Sequence, residues 1–139
     1  MTEVSIEPFT RAHLAGLIAL VAAEGWTEYS EDVERTHRAL TAPGGTTLVA
    51  IARGHVVGAI QVQSDGAIQA HVSMLLIDQG WRGRRLGSRL LREGLDRSGA
   101  LQLDIRTRTE GYYERLGASR SLGFRLTRED LGLRVRAAS

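Results

Sequence analysis

The chain of 139 residues contains no cysteine, is 42% apolar and carries a formal charge of +2. The lack of cysteine excludes disulfides, thiolate metal sites and a cysteine nucleophile, and so small a net charge gives little footing for a nucleic-acid partner. The length suits one domain over residues 1–139 with a two- or three-layer core, and the two prolines and lack of low-complexity tracts argue against disorder.

Residues 4–9 alternate apolar and polar side chains as a first strand would. Thr10 then reads as the N-cap of a helix through Leu14, Leu17, Ile18 and Val21, with Gly25 as its stop. A second helix is expected to start near Ser30 and to end before Pro43 and Gly44. Residues 46–52 and 55–63 read as two strands joined by a short hairpin turn at Arg53 and Gly54. Ser64, Asp65 and Gly66 form a second turn, leading into a long strand over residues 68–77. The next helix buries Leu86, Leu90, Leu91 and Leu95, and leaves Arg85, Arg89 and Arg92 on another face. Residues 101–105 alternate as a fifth strand, and a short helix is expected over 110–116. Beyond it, the spacing of Phe124, Leu126, Leu131, Leu133 and Val135 predicts terminal strands. The order β-α-α-β-β-β-α-β-α-β is that of an α+β (mixed α/β) fold, with antiparallel hairpins first and a crossover helix between strands four and five. The N-terminus lacks a basic leader region, and no apolar run approaches the roughly 20 residues that cross a bilayer. A cytoplasmic protein with no membrane partner is therefore expected.

The run Trp81-Arg82-Gly83-Arg84-Arg85-Leu86-Gly87-Ser88 joins the long strand to the helix that follows, and six of the 18 basic residues lie between Arg82 and Arg97. The start of a helix offers backbone N–H groups without intrahelical partners and a partial positive charge. Such a site suits a phosphate, glycines let the backbone approach it closely, and arginines add attraction for a highly charged ligand. The combination points to a pyrophosphate. An ordinary turn with a solvated basic face is the plainer alternative. The run is neither a Walker loop nor a dinucleotide fingerprint, because it has no Gly-Lys-Ser/Thr and no spaced glycine triplet.

The same residues resemble the acetyl-CoA motif of the GNAT N-acetyltransferases, Arg/Gln-x-x-Gly-x-Gly/Ala. Arg82 would open the motif and Gly87 close it, while Arg85 stands where the family usually has its first glycine. The resemblance implies a central, mostly antiparallel sheet splayed at strands four and five and flanked by helices. It implies acetyl-CoA as co-substrate, held at Arg82, Gly83, Arg84, Arg85, Leu86, Gly87 and Ser88. It also places Leu75, Leu76 and Ile77 on the strand whose backbone pairs with the pantetheine amides. A strand that loses its neighbour exposes N–H and C=O groups, which a ligand with two amides can satisfy much as an added strand would. The alternative is a buried strand fully paired to its neighbour.

Gly111-Tyr112-Tyr113-Glu114-Arg115-Leu116-Gly117 resembles the second signature of that family. Tyr113 takes the place of the family tyrosine near the thioester sulfur. A phenol suits proton donation to a departing thiolate, since it stays neutral at pH 7 and its pKa lies above that of a thiol. A core tyrosine bonded to a backbone carbonyl is the structural alternative. Arg106 and Thr109 replace the usual Asn and Ala upstream, and Ala118 stands where phenylalanine is common.

An acceptor amine arrives protonated, so a base or a water chain leading to one helps. His71 falls on the long strand where some family members place a glutamate base. Simple alternation would put it on one face with Gln69, Ser73, Leu75 and Ile77. It is otherwise a structural, hydrogen-bonding histidine. Trp26, Glu28 and Tyr29 lie in the connection that overhangs the acceptor groove in the GNAT fold. Aromatics with acids suit a cation, or else they pin the loop and cap the second helix. His13, His37 and His55 have no metal-like spacing, so no metal is expected. The reading is an N-acetyltransferase moving the acetyl group of acetyl-CoA directly to a primary amine on a small molecule or peptide. A non-catalytic acyl-CoA-binding regulatory module is the alternative; monomer and homodimer both remain open. A nucleic-acid partner is not expected, because aromatic residues do not interleave with the arginines.

Overall fold

A computed structural model of the chain describes residues 3–109 and 111–134. The chain divides into two compact units, Met1–Ile105 and Arg106–Ser139. The first unit holds one five-stranded sheet in the order β1-β2-β3-β4-β5. Its strands are β1 (Ser5–Pro8), β2 (Gly45–Ala52), β3 (His55–Ser64), β4 (Gln69–Ile77) and β5 (Gln102–Ile105). Neighbours pair antiparallel except β4 and β5, which run parallel. Two tight connections explain the antiparallel part. Arg53 and Gly54 both adopt positive φ, the twist that a two-residue hairpin requires. Between β3 and β4 the Asp65 carboxylate accepts from the N–H groups of Ala67, Ile68 and Gln69.

The helices are α1 (Leu14–Ala23), α2 (Thr27–Ser30), α3 (Val33–Leu40) and α4 (Leu86–Ser98). Thr10 caps the 3-10 turn that leads into α1, as its sequence predicts. The second helix differs from expectation. Asp32, not Ser30, is its N-cap and accepts from the N–H of Arg35, while residues ahead of it form the one-turn α2. A carboxylate at that position satisfies a free amide of the first turn, and Ser30 is already inside α2. The crossover from β4 to the parallel β5 is α4, which ends at the left-handed Gly99.

Each face of the sheet carries its own core. Leu48, Ile60, Val62, Val72, Leu86 and Leu90 pack together on the α4 side. Leu14, Leu17, Val21, Leu40, Val49, Met74 and Leu76 pack on the side of α1 and α3. Gly94 lets α4 lie close to the sheet, since a Cβ there would come within 2.9 Å of a Val62 methyl. Among the described residues no helix is long and apolar enough to cross a membrane.

The second unit contains one short helix, α5 (Tyr112–Arg115). The expected terminal strands are not found among the described residues, and Val135 lies outside them. Leu122 and Phe124 are 91% and 86% exposed, and Leu126, Leu131 and Leu133 are exposed too. Alternation is a necessary pattern for a half-buried strand but supplies no hydrogen-bonding neighbour, and without one an isolated strand gains nothing.

Candidate active site

The site begins with a defect in β4. Gln61 faces Met74 and Val62 faces Val72, so Ser73 is an extra residue, a β-bulge. Gln61 holds it. Its side chain is 2% exposed, its amide donates to the Ala39 carbonyl at 2.6 Å, and its Oε1 accepts from the Ser73 hydroxyl at 2.7 Å. The buried glutamine therefore ties the end of α3 to the bulge. Sequence reasoning passed over it; a glutamine set between Ile60 and Val62 was the available signal.

At the same point β4 loses its other neighbour. β5 pairs with it only through Gln69, Ala70, His71 and Val72. Residues 74–77 remain paired to β3, while no strand among the described residues pairs with their opposite edge. The N–H of Asp78 donates to the Val57 carbonyl on β3. Counting back by alternation, Leu76 also points its backbone groups to β3, whereas Leu75 and Ile77 point theirs to the open edge. The Leu76 side chain lies in the α1-side core. Of the three residues marked out by sequence, two therefore offer amides.

Immediately after β4, Asp78 accepts from the N–H of Gly80 to make a turn, and the chain enters α4 through Gly83 and Arg85, both at positive φ. Arg85 is the N-cap, with φ 62°. A left-handed position favours glycine, which gives the physical sense of the glycine usual in the resembling motif. Leu86 is buried in the core, so only its backbone is offered to a ligand. The first-turn amides from Leu86 and Gly87 have no intrahelical acceptor, because the ladder starts at Arg89 N–H to Arg85 carbonyl. The arginines have different settings. The Arg84 guanidinium lies 4.4 Å over the Trp81 ring. Arg82 donates to the Ile77 carbonyl at 3.2 Å and pairs with Glu24 at 2.6 Å. Ser88 is half-buried in the first turn of α4.

The bulge also moves His71. Facing pairs on neighbouring strands share a side of the sheet, which puts His71 with Gln63 and Asp104. Leu75 and Ile77 pack on the opposite, α4-side core. The expected common face with Leu75 and Ile77 is thus overturned, because one inserted residue inverts every side chain beyond it. His71 keeps the face of Ser73 and is exposed, in an open depression of about 350 Å³ that it lines with Gln63, Asp65 and Asp104. Trp26 and Tyr29 pack against the core of this face, with ring centroids 6.1 Å apart. The Tyr29 hydroxyl donates to the Ser73 carbonyl at 3.4 Å. Glu28, in the single turn of α2, is exposed.

Tyr113 belongs to the second unit. It is half-buried on α5 and meets Tyr112 edge-on, centroids 4.9 Å apart. Burial, and then Tyr112, pushes its phenol above the ordinary range, which keeps it protonated. The Glu114 carboxylate accepts from the Gly111 N–H and closes the start of α5. Glu110 lies outside the described residues. Among those residues no three His, Asp or Glu side chains gather to hold a metal ion.

A sheet that parts between two parallel strands, with a glycine-arginine turn leading into the crossover helix, defines a class. Residues 43–117 match the family model described as an acetyltransferase (GNAT) domain, and the chain belongs to that family of acyltransferases. Solved structures agree on the fold. A protein of Deinococcus radiodurans R1 assigned as an acetyltransferase is 27% identical, with 99% of this chain and 100% of that one covered at TM-score 0.71. The GNAT family protein SP0256 of Streptococcus pneumoniae TIGR4 is 24% identical over 92% of this chain and 99% of that one, also at TM-score 0.71. AAC(6')-Iy, solved with the bisubstrate analogue CoA-S-monomethyl-acetylneamine, is 14% identical over 90% of this chain and 99% of that one, at TM-score 0.67. No curated protein matches the sequence.

Proposed function

We propose that the whole chain acts as one N-acetyltransferase domain, moving the acetyl group of acetyl-CoA directly to a primary amine. The observation that carries this reading is the edge of β4 over residues 73–77, which opens where β5 stops and leads straight to the start of α4. These groups fit the co-substrate. The edge-facing amides of Leu75 and Ile77 and the Leu75 carbonyl match a chain bearing two amides, and the first-turn amides of α4 match a diphosphate. The complex of AAC(6')-Iy, which shares the fold, with the bisubstrate analogue CoA-S-monomethyl-acetylneamine supports the same assignment.

Acetyl-CoA would supply an acyl group already activated as a thioester. The Leu75 or Ile77 N–H would donate to its carbonyl oxygen, where negative charge grows as the amine attacks. Arg84, Arg85, Leu86, Gly87 and Ser88 would hold the diphosphate, mainly through backbone. His71 would take the amine proton, directly or through water, from the face it shares with Ser73. Tyr113 would give its proton to the leaving sulfur. Trp26, Glu28 and Tyr29 would line the acceptor side, where two aromatic rings and a carboxylate suit a cation.

Thermal unfolding with CoA, followed by an acetyl-CoA consumption screen over an amine panel, tests the proposal. At one hundred times the dissociation constant, CoA should add about 2.7 kcal/mol of stability. Gly87→Glu should remove that gain by placing a charge against the diphosphate. Thiol release with at least one amine is the expected result. Binding without turnover on any amine would move the chain to the regulatory class, and no stabilisation at all would end the reading.

A further inference from the structure

The two ends of the open β4 edge are touched by the same short stretch of chain. At one end the Tyr29 hydroxyl donates to the Ser73 carbonyl. At the other, Glu24 pairs with Arg82, whose Nε donates to the Ile77 carbonyl. Glu24 is the C-cap of α1, and Tyr29 lies in α2, so the connection between them reaches across residues 73–77. Gly25, at φ 76°, turns the chain out of α1, and the Trp26 N–H returns to the Val21 carbonyl. The segment is therefore built as a strap with an anchor at each end. Its middle carries Trp26 and Glu28.

We infer that Glu24 is a positioning residue that, through Arg82 and Ile77, makes the placing of the Trp26–Tyr29 acceptor wall depend on occupancy of the β4 edge. This rests on the function proposed above. A ligand that bonds to the edge-facing groups of Leu75 and to the Ile77 N–H orders the residue whose carbonyl Arg82 holds. Arg82 in turn holds Glu24, and Glu24 sets where the strap begins. Co-substrate and acceptor sites thereby share one mechanical link outside the reacting atoms. The Arg82 and Glu24 side chains are 52% and 31% exposed, so the link is a modest one that salt can screen.

Amide hydrogen exchange over residues 25–31, read with and without CoA in wild type, Glu24→Gln and Glu24→Lys, tests it. Without CoA, exchange in this segment should quicken about threefold in Glu24→Gln, the scale of one exposed ion pair. Glu24→Lys, which sets two cations together, should quicken it about tenfold while exchange in β2 and β3 stays unchanged. Saturating CoA should slow exchange of the segment in wild type and leave it unaltered in Glu24→Lys, with CoA affinity kept within about threefold. Equal exchange in all three proteins, or equal protection by CoA in all three, would overturn the inference. Absence of CoA binding to wild type would instead strike the proposed function, and the coupling with it, while the CoA-free comparison would still report on the anchor itself.

Discussion

The two halves of β4, on either side of Ser73, differ in how they are paired. Over residues 70–72 the strand is paired on both sides, to β3 and to β5. Over residues 74–77 it is paired, among the described residues, to β3 alone. Ala70 and Val72 face α4, whereas past Ser73 it is Leu75 and Ile77 that do so. A single inserted residue thus separates a half that positions a side chain, His71, from a half that offers backbone. Binding sites can be made by withholding a hydrogen-bonding partner as well as by adding a functional group.

Neither half of β4 carries an acid for the departing thiolate, so the largest effect is expected away from it. Tyr113→Phe should lower turnover by roughly 10²–10⁴ while CoA affinity stays within a few-fold. Because burial raises the Tyr113 phenol, it remains a proton donor throughout the neutral range. The wild-type rate should show no tyrosine-dependent loss until the pH exceeds about 10. Steady-state rates over pH 6–10 check both statements, and an unchanged turnover would make Tyr113 structural.

Removing His71, the side chain proposed to act from the paired half, comes next. His71→Ala should lower kcat/KM by about 10², toward the small end of acid–base effects, with the loss greatest on the acid side of the profile. The amine also gains reactivity as pH rises, so wild type and variant must be compared with the same acceptor. Identical profiles would return the proton to a water chain.

Erasing the boundary between the halves should cost stability as well as binding. Gln61→Leu leaves the Ser73 hydroxyl only the longer, 3.4 Å bond to the backbone carbonyl of residue 61 and the Ala39 carbonyl without that donor, for a loss of about 1–3 kcal/mol. Urea unfolding reads the loss, and CoA titration should show weaker binding. Normal stability with normal CoA affinity would mean that backbone pairing alone keeps the bulge.

At the far end of the open half, Arg85 occupies a left-handed position with an exposed side chain. Arg85→Gly should therefore stabilise the protein by about 0.5–1 kcal/mol, the relief of strain less the added freedom of the unfolded chain. A drop in Tm would show that the Arg85 side chain contributes packing that outweighs the strain.

The smallest effect is expected at the turn entering the paired half. Three backbone N–H groups hold the Asp65 carboxyl below its usual range. A depressed carboxylate adds stability above its unfolded pKa, near 3.9, and loses it as pH falls through the lower folded value. Asp65→Ala should thus flatten the fall of stability in the acid region and lower stability slightly at pH 7. An acid-unfolding series of wild type and variant below pH 5 decides it; parallel curves would count against a folded-state role for these bonds.

Much of the fold was legible in the chain itself. Local chemistry sufficed for the hairpin at Arg53 and Gly54, the Thr10 cap, the Asp65 turn and the α4 stripe of Leu86 and Leu90. In each case the deciding interactions lie within a few residues or along one repeating face. The motif from Arg82 to Ser88 was legible for the same reason, since a turn and a helix start are local objects. What sequence could not decide was register and partnership. The bulge at Ser73 forms against Gln61, twelve residues away, which is itself bonded to the end of α3, so alternation assigned His71 to the wrong company. The alternating Phe124 and Leu126 looked like a strand, yet a strand exists only where another backbone meets it. Nor did spacing suggest that Arg82 would turn to Glu24, 58 residues away, and to the carbonyl of Ile77. Periodicity records which face a residue prefers, while the pairing of distant backbones decides which face it receives, and only the folded chain brings those backbones together.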